Sequence, residues 1–176
     1  MFCAVGVEVP DPALERPNGT TNIQHGNIIM APYQELSKIR MKKIVKVIDF
    51  IEDFMRWSKR RRDIRAVALV GSYAKNAATT SSDVDLVIIT EDPQSYLTNM
   101  DWARVFGTVI TKEIEDYGKL TSLRVWYESG LEVEYGFTTR EWVKTPLDKG
   151  TKQVVDDGMR VLFEKEVLLS PHETPV

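Results

Sequence analysis

The chain has 176 residues, 43% hydrophobic and 28% charged, with 10 Gly and 8 Pro, which excludes collagen-like, low-complexity and wholly disordered chains. Its 23 Lys and Arg against 26 Asp and Glu leave a formal net charge of -3, so there is no overall positive field and nucleic acid is not expected as a partner. The single cysteine, Cys3, permits neither an intrachain disulfide nor a Cys-based metal clamp; no apolar run reaches membrane-spanning length, and Met1 to Val9 lacks the basic start of a signal peptide. The expectation is a cytoplasmic protein with no membrane attachment.

Residues 1–30 carry scattered Pro, Gly, Asn and Thr without sustained periodicity and read as a flexible tail. From Pro32 a helical pattern takes over, with Leu36, Ile39, Ile44, Val47, Ile48, Ile51, Phe54 and Met55 at spacings mostly of three and four, which predicts one amphipathic helix against the core. It runs out in Arg60–Arg62, cations that suit the negative end of the helix dipole. Ile64–Val70 reads as a buried strand, Tyr73–Asn76 as a helical turn, Ala77–Ser82 as a loop and Val84–Ile89 as a second buried strand. Asp92 and Pro93 stop that strand, and Gln94–Phe106 reads as a helix ended by Gly107. Leu123–Tyr127 and Leu131–Phe137 flank Glu128, Ser129 and Gly130 as a hairpin. Thr139–Lys144 and Lys149–Asp157 are short helix candidates, Asp157–Gly158 a turn and Met159–Glu164 a last strand. The sum is an α/β (α+β) domain over residues 31–170, a small mixed sheet with helices packed on it, followed by a short tail at 171–176.

The informative stretch is Val70–Ile89: Gly71-Ser72 at the end of a buried strand, ten intervening residues, then Asp83-Val84-Asp85 opening another. Residues two apart on a strand point to one side and lie roughly 6.6 Å apart, so Asp83 and Asp85 converge on a point beyond the sheet edge. Unneutralised, they would repel; hard carboxylate oxygens in that arrangement favour magnesium or manganese, and a metal pair suits two convergent carboxylates. Gly71 permits close backbone approach, and Ser72, where strand becomes helix, offers a hydroxyl and exposed N–H groups to a phosphate. Glu134 is a third carboxylate in the alternating strand Leu131–Phe137, and Glu132 on the same face competes for its role. Each element alone has a bland reading as a turn or a solvated pair. Together they resist one, because carboxylates in apolar strands are expensive without partners. The chain has no GxSxG, GxGxxG or Walker loop, and His25 and His172 fall in the expected tails.

Val70-Gly71-Ser72, ten residues, then Asp83-Val84-Asp85-Leu86 resembles the signature of the nucleotidyltransferase superfamily, shared by polymerase beta-like domains, aminoglycoside nucleotidyltransferases and minimal MNT-type proteins. Leu131-Glu132-Val133-Glu134-Tyr135 is similar to the family's later strand, with Glu134 in the catalytic place. The resemblance implies transfer of a nucleoside monophosphate, AMP from ATP, to an acceptor hydroxyl with release of pyrophosphate. Asp83, Asp85 and Glu134 would then be both catalytic and ligands to two Mg2+ or Mn2+ ions, and Gly71 and Ser72 would hold the nucleotide's phosphates. Lys75, one turn further on, either neutralises phosphate charge or is a solvated lysine. The acceptor, a small molecule or a protein, is not specified. Relatives commonly have Gly where this chain has Asn76, a residue that also tolerates left-handed backbone. Aminoglycoside-modifying relatives carry a further helical domain that builds the acceptor pocket, so the acceptor side is expected to need a second copy or a different partner. The alternative is an antitoxin-type partner of a HEPN-like toxin.

Overall fold

Ile64–Val70 (β1) and Val84–Thr90 (β2) are apolar almost throughout, and they lie side by side inside a sheet covered on both faces. The computed structural model describes residues 30–173. Val109–Asp116 (β3), Leu120–Tyr127 (β4), Glu132–Thr138 (β5) and Met159–Glu164 (β6) complete a six-stranded sheet in the order β3-β4-β5-β2-β1-β6. β2 and β5 run parallel and the other neighbouring pairs antiparallel, so the sheet is mixed, as expected. The helices are Met30–Lys59 (α1), Gly71–Ala74 (α2), Pro93–Thr98 (α3) and Lys149–Asp156 (α4). No helix among the described residues is long and apolar enough to cross a membrane.

Alternating side chains make each strand feed two layers. On one face Leu69, Leu86, Ile88, Tyr135 and Phe137 pack with Val47, Phe50 and Phe54 of α1. Rings dominate this layer: Trp102 meets Tyr135 edge-on at 4.9 Å and Tyr96 stacks on Phe137 at 5.0 Å. On the other face Ala66, Ala68, Val70, Val87 and Ile89 pack with Trp142, Val143 and Leu169, and Val154 of α4 lies against them. Asp83, Asp85 and Glu134 belong to this second face.

Four expectations are corrected. The apolar stripe of α1 enters the core only from Val47 onward, since Leu36 is 64% and Ile39 50% exposed, and even there Ile48 stays 50% exposed. A periodic stripe marks a face that could be buried, and here the packed rings begin only at Phe50. The single helix expected over Gln94–Phe106 is α3 followed by a 3-10 turn, Asp101–Phe106, because Asn99 is extended and the Trp102 indole N–H donates back to the Tyr96 carbonyl at 3.0 Å. β3 was not expected: it is an edge strand with most residues exposed and Lys112, Glu113, Glu115 and Asp116 along it, so it carries no apolar alternation. β4 accordingly starts at Leu120, three residues before the expected hairpin strand. Thr139–Lys144 holds only a 3-10 turn, Arg140–Val143. The expected N-terminal tail lies outside the described residues except for Met30, which opens α1. Of residues 171–176, His172 closes a 3-10 turn and 174–176 lie outside the described residues.

Candidate active site

Sheet register assembles the site. Asp85 of β2 lies opposite Val70 of β1 on one side and opposite Glu134 of β5 on the other, while Asp83 directly precedes β2. Asp83 and Asp85 share a face by the two-residue period, and parallel pairing brings Glu134 to that face. One carboxylate oxygen from each of Asp83, Asp85 and Glu134 lies within 4.8 Å of the other two. Glu132 is not in that group.

Gly71 is required here for two independent reasons. Its φ is +67°, and a Cβ added to it would sit 2.5 Å from Asp85 Oδ2. Ser72 follows in α2, where its carbonyl accepts the Ala77 N–H at 2.9 Å and fixes the turn. Asn76 has φ 58°, in the left-handed region that Asn tolerates. Lys75 caps α2 with its Nζ 3.5 Å from Asp157 Oδ1 and its side chain 45% exposed. It is therefore already paired, beside the cavity that Asp157 helps to line.

Two residues essential to this geometry were not singled out from the sequence. Lys43 of α1 donates to the carbonyls of Thr80 at 2.7 Å and Ser82 at 2.8 Å, holding the loop that delivers Asp83. Arg124 of β4, opposite Glu134 in the ladder, sits among the carboxylates. Its Nη2 donates to Glu134 Oε2 at 2.7 Å and its Nη1 to Glu132 Oε1 at 2.8 Å and Asp83 Oδ2 at 3.3 Å, while Nε lies 3.5 Å from Glu115 Oε2. The available signal was Arg124 itself, a cation interrupting the apolar run Leu123–Tyr127 as the acids interrupt theirs.

The electrostatics follow. Burial, with Asp83 and Glu134 close by, pushes the Asp85 carboxyl up to about 7, Arg124 opposing the shift. Burial and then the Asp83 charge raise the Tyr73 hydroxyl. An oxygen-only donor set fits a hard divalent cation. Beside Asp85 and Glu134 opens a cavity of about 350 Å³, walled by Val70, Leu120, Trp142 and Val154. That volume falls within the roughly 300–1,000 Å³ of small-molecule sites. Gly136 lies in its floor, where a Cβ would come 2.8 Å from Leu120 Cδ1.

A sequence model of the family described as "Streptomycin adenylyltransferase" matches residues 41–175, more than half of the chain. The chain belongs to the streptomycin adenylyltransferase family. The expected nucleotidyltransferase fold is thereby borne out, as is membership of an enzyme family of adenylyltransferases. Among solved structures the chain is similar to an aminoglycoside 6-adenyltransferase from Bacillus subtilis, with 18% identity and TM-score 0.43 over 55% of this chain and 35% of that one. It is also similar to the Cid1 poly(U) polymerase, with 12% identity and TM-score 0.44 over 70% of this chain and 37% of that one. The chain thus spans little more than a third of the length of either. Among curated proteins no sequence matches it.

Proposed function

We propose that this domain transfers the adenylyl group of ATP to a hydroxyl of an acceptor and releases pyrophosphate, the acceptor being an aminoglycoside-like small molecule or a protein. The observation that carries the reading is the convergence of Asp83, Asp85 and Glu134 within 4.8 Å, beside a cavity of about 350 Å³ that Asp85 and Glu134 help to line. The family adds the reaction class. Asp83, Asp85 and Glu134 would hold two Mg2+ or Mn2+ ions, which when bound stabilise charge on the attacking and leaving oxygens.

The chain's own residues supply the rest. Gly71 lets the backbone approach the nucleotide, and Ser72 and the N–H groups of the turn face its phosphates. Lys75, once released by Asp157, is within a turn of them. Glu134 polarises the acceptor hydroxyl and takes its proton as the acceptor oxygen bonds to the α-phosphorus, while the bond to the bridging oxygen breaks and pyrophosphate leaves with that electron pair. Before metal binds, Arg124 holds the Asp83 and Glu134 carboxylates in register.

The test is transfer of labelled AMP from ATP to streptomycin and other aminoglycosides, with magnesium and with EDTA, using Asp85→Asn as the inactive control. Transfer equal in the control, or undiminished by EDTA, rejects the reading. Magnesium-dependent ATP binding without transfer to any acceptor favours the antitoxin-type alternative.

A further inference from the structure

Among the described residues, Arg124 meets four carboxylates, two in the proposed metal triad (Asp83, Glu134) and two outside it (Glu132, Glu115). Its side chain is only 24% exposed, and the Glu134 side chain 17%. A guanidinium held this way delivers one positive charge and a planar fork of donors into the middle of the acids. It thereby does in this structure what a cation does for clustered carboxylates.

We propose that Arg124 is a built-in counter-cation that competes with divalent metal for Asp83 and Glu134, so that metal enters the site fully only as Arg124 withdraws toward Glu132 and Glu115. The inference rests on the triad being a metal centre. Both uses draw on the same two carboxylates, and a divalent ion placed among them would lie beside a fixed positive charge. Withdrawal has a destination, since Glu132 already binds Nη1 at 2.8 Å and Glu115 of the neighbouring edge strand lies 3.5 Å from Nε. Glu132 is then a positioning residue for Arg124 and not a third metal ligand. A nucleoside triphosphate adds negative charge at the same place and offsets the surplus. Metal and nucleotide affinity are therefore coupled, and reciprocally so.

The experiment is Mn2+ titration of the full chain, with free ion followed by electron paramagnetic resonance, with and without a non-hydrolysable ATP analogue. Wild type is expected to bind Mn2+ weakly alone and more tightly with the analogue. Arg124→Met is expected to bind Mn2+ alone at least tenfold more tightly than wild type, with a correspondingly smaller gain from the analogue. Arg124→Lys, which keeps the charge but cannot fork across several carboxylates, should fall between them. Mn2+ affinity of Arg124→Met equal to or below wild type overturns the proposal. If circular dichroism shows Arg124→Met unfolded, Arg124→Lys decides alone, and wild-type affinity in that variant overturns the proposal. Asp83→Asn with Asp85→Asn separates the two levels: undiminished Mn2+ binding there rejects the metal centre itself, whatever Arg124 does.

Discussion

Replacing Asp85 with Asn should stabilise the metal-free protein at neutral and alkaline pH. The Asp85 carboxyl is pushed from 3.8 to about 7, first by burial and then by Asp83 and Glu134. Its folded state therefore holds a proton more tightly than its unfolded state. The sign follows: stability is fullest below about pH 4, where Asp85 is protonated in both states, and is lost as pH rises toward 7. A shift of about three units at 1.36 kcal/mol each places the loss near 4 kcal/mol by pH 8. Asn is isosteric and uncharged and escapes it. At roughly 2–4 °C per kcal/mol for a chain of this size, Asp85→Asn should melt about 8–16 °C above wild type at pH 8 in EDTA. By pH 4 the gap should shrink to well under about 1 kcal/mol. The assay is a set of thermal melts by circular dichroism from pH 4 to 9, with EDTA and with magnesium. Magnesium should raise the wild-type melting temperature and leave the variant's almost unmoved. A variant less stable than wild type at pH 8, or a difference that does not change with pH, would refute the reasoning, because Asp85 would then be stabilised by its surroundings.

Gly71→Ala places a Cβ 2.5 Å from Asp85 Oδ2 on a left-handed backbone; labelled-AMP transfer should fall at least about a hundredfold and stability by roughly 1–3 kcal/mol, and wild-type transfer would show the turn to be dispensable. Glu134→Gln should lose at least about a hundredfold in transfer and Glu132→Gln less than about tenfold, since Glu134 belongs to the triad and Glu132 holds Arg124; equal losses would dissolve that distinction. Lys43→Met removes the donor to the Thr80 and Ser82 carbonyls, so hydrogen exchange in residues 77–83 should speed up at least about fivefold, and unchanged protection would mean the loop is held by other contacts.

Legibility in the sequence tracked how local each feature is. Gly71-Ser72 and Asp83-Val84-Asp85 are readable because a strand end, a tight turn and a two-residue period are properties of adjacent residues. Glu134 and Glu132 were both readable as candidates for the third acid, but placing Glu134 first drew on the resemblance, since the pairing of Asp85 with Glu134 spans β2 and β5 and no local pattern announces it. β3 was illegible because an edge strand defended by charge has no apolar face to betray it. The stripe on α1 was legible as a stripe, yet Leu36 and Ile39 look no different in sequence from Phe50 and Phe54. Only the position of the sheet decides which of them is covered.

Arg124 shows why the balance of the site could not be read one strand at a time. Its partners come from β3, β5 and the residue before β2, so its role exists only once those three stretches are in register with its own β4. Among the described residues it bonds Asp83 and Glu134 but not Asp85, and Asp85 is the carboxylate whose proton affinity is raised toward neutrality. The guanidinium and the Asp85 proton thus divide between them the neutralisation of one acidic cluster. On the proposed metal-binding reading, a hard cation entering the triad would take over both tasks, displacing an ion pair at Asp83 and Glu134 and a proton at Asp85. On that reading two separable barriers to metal uptake follow from one arrangement of strands: the first should respond to substitution at Arg124 and to added triphosphate, the second to pH.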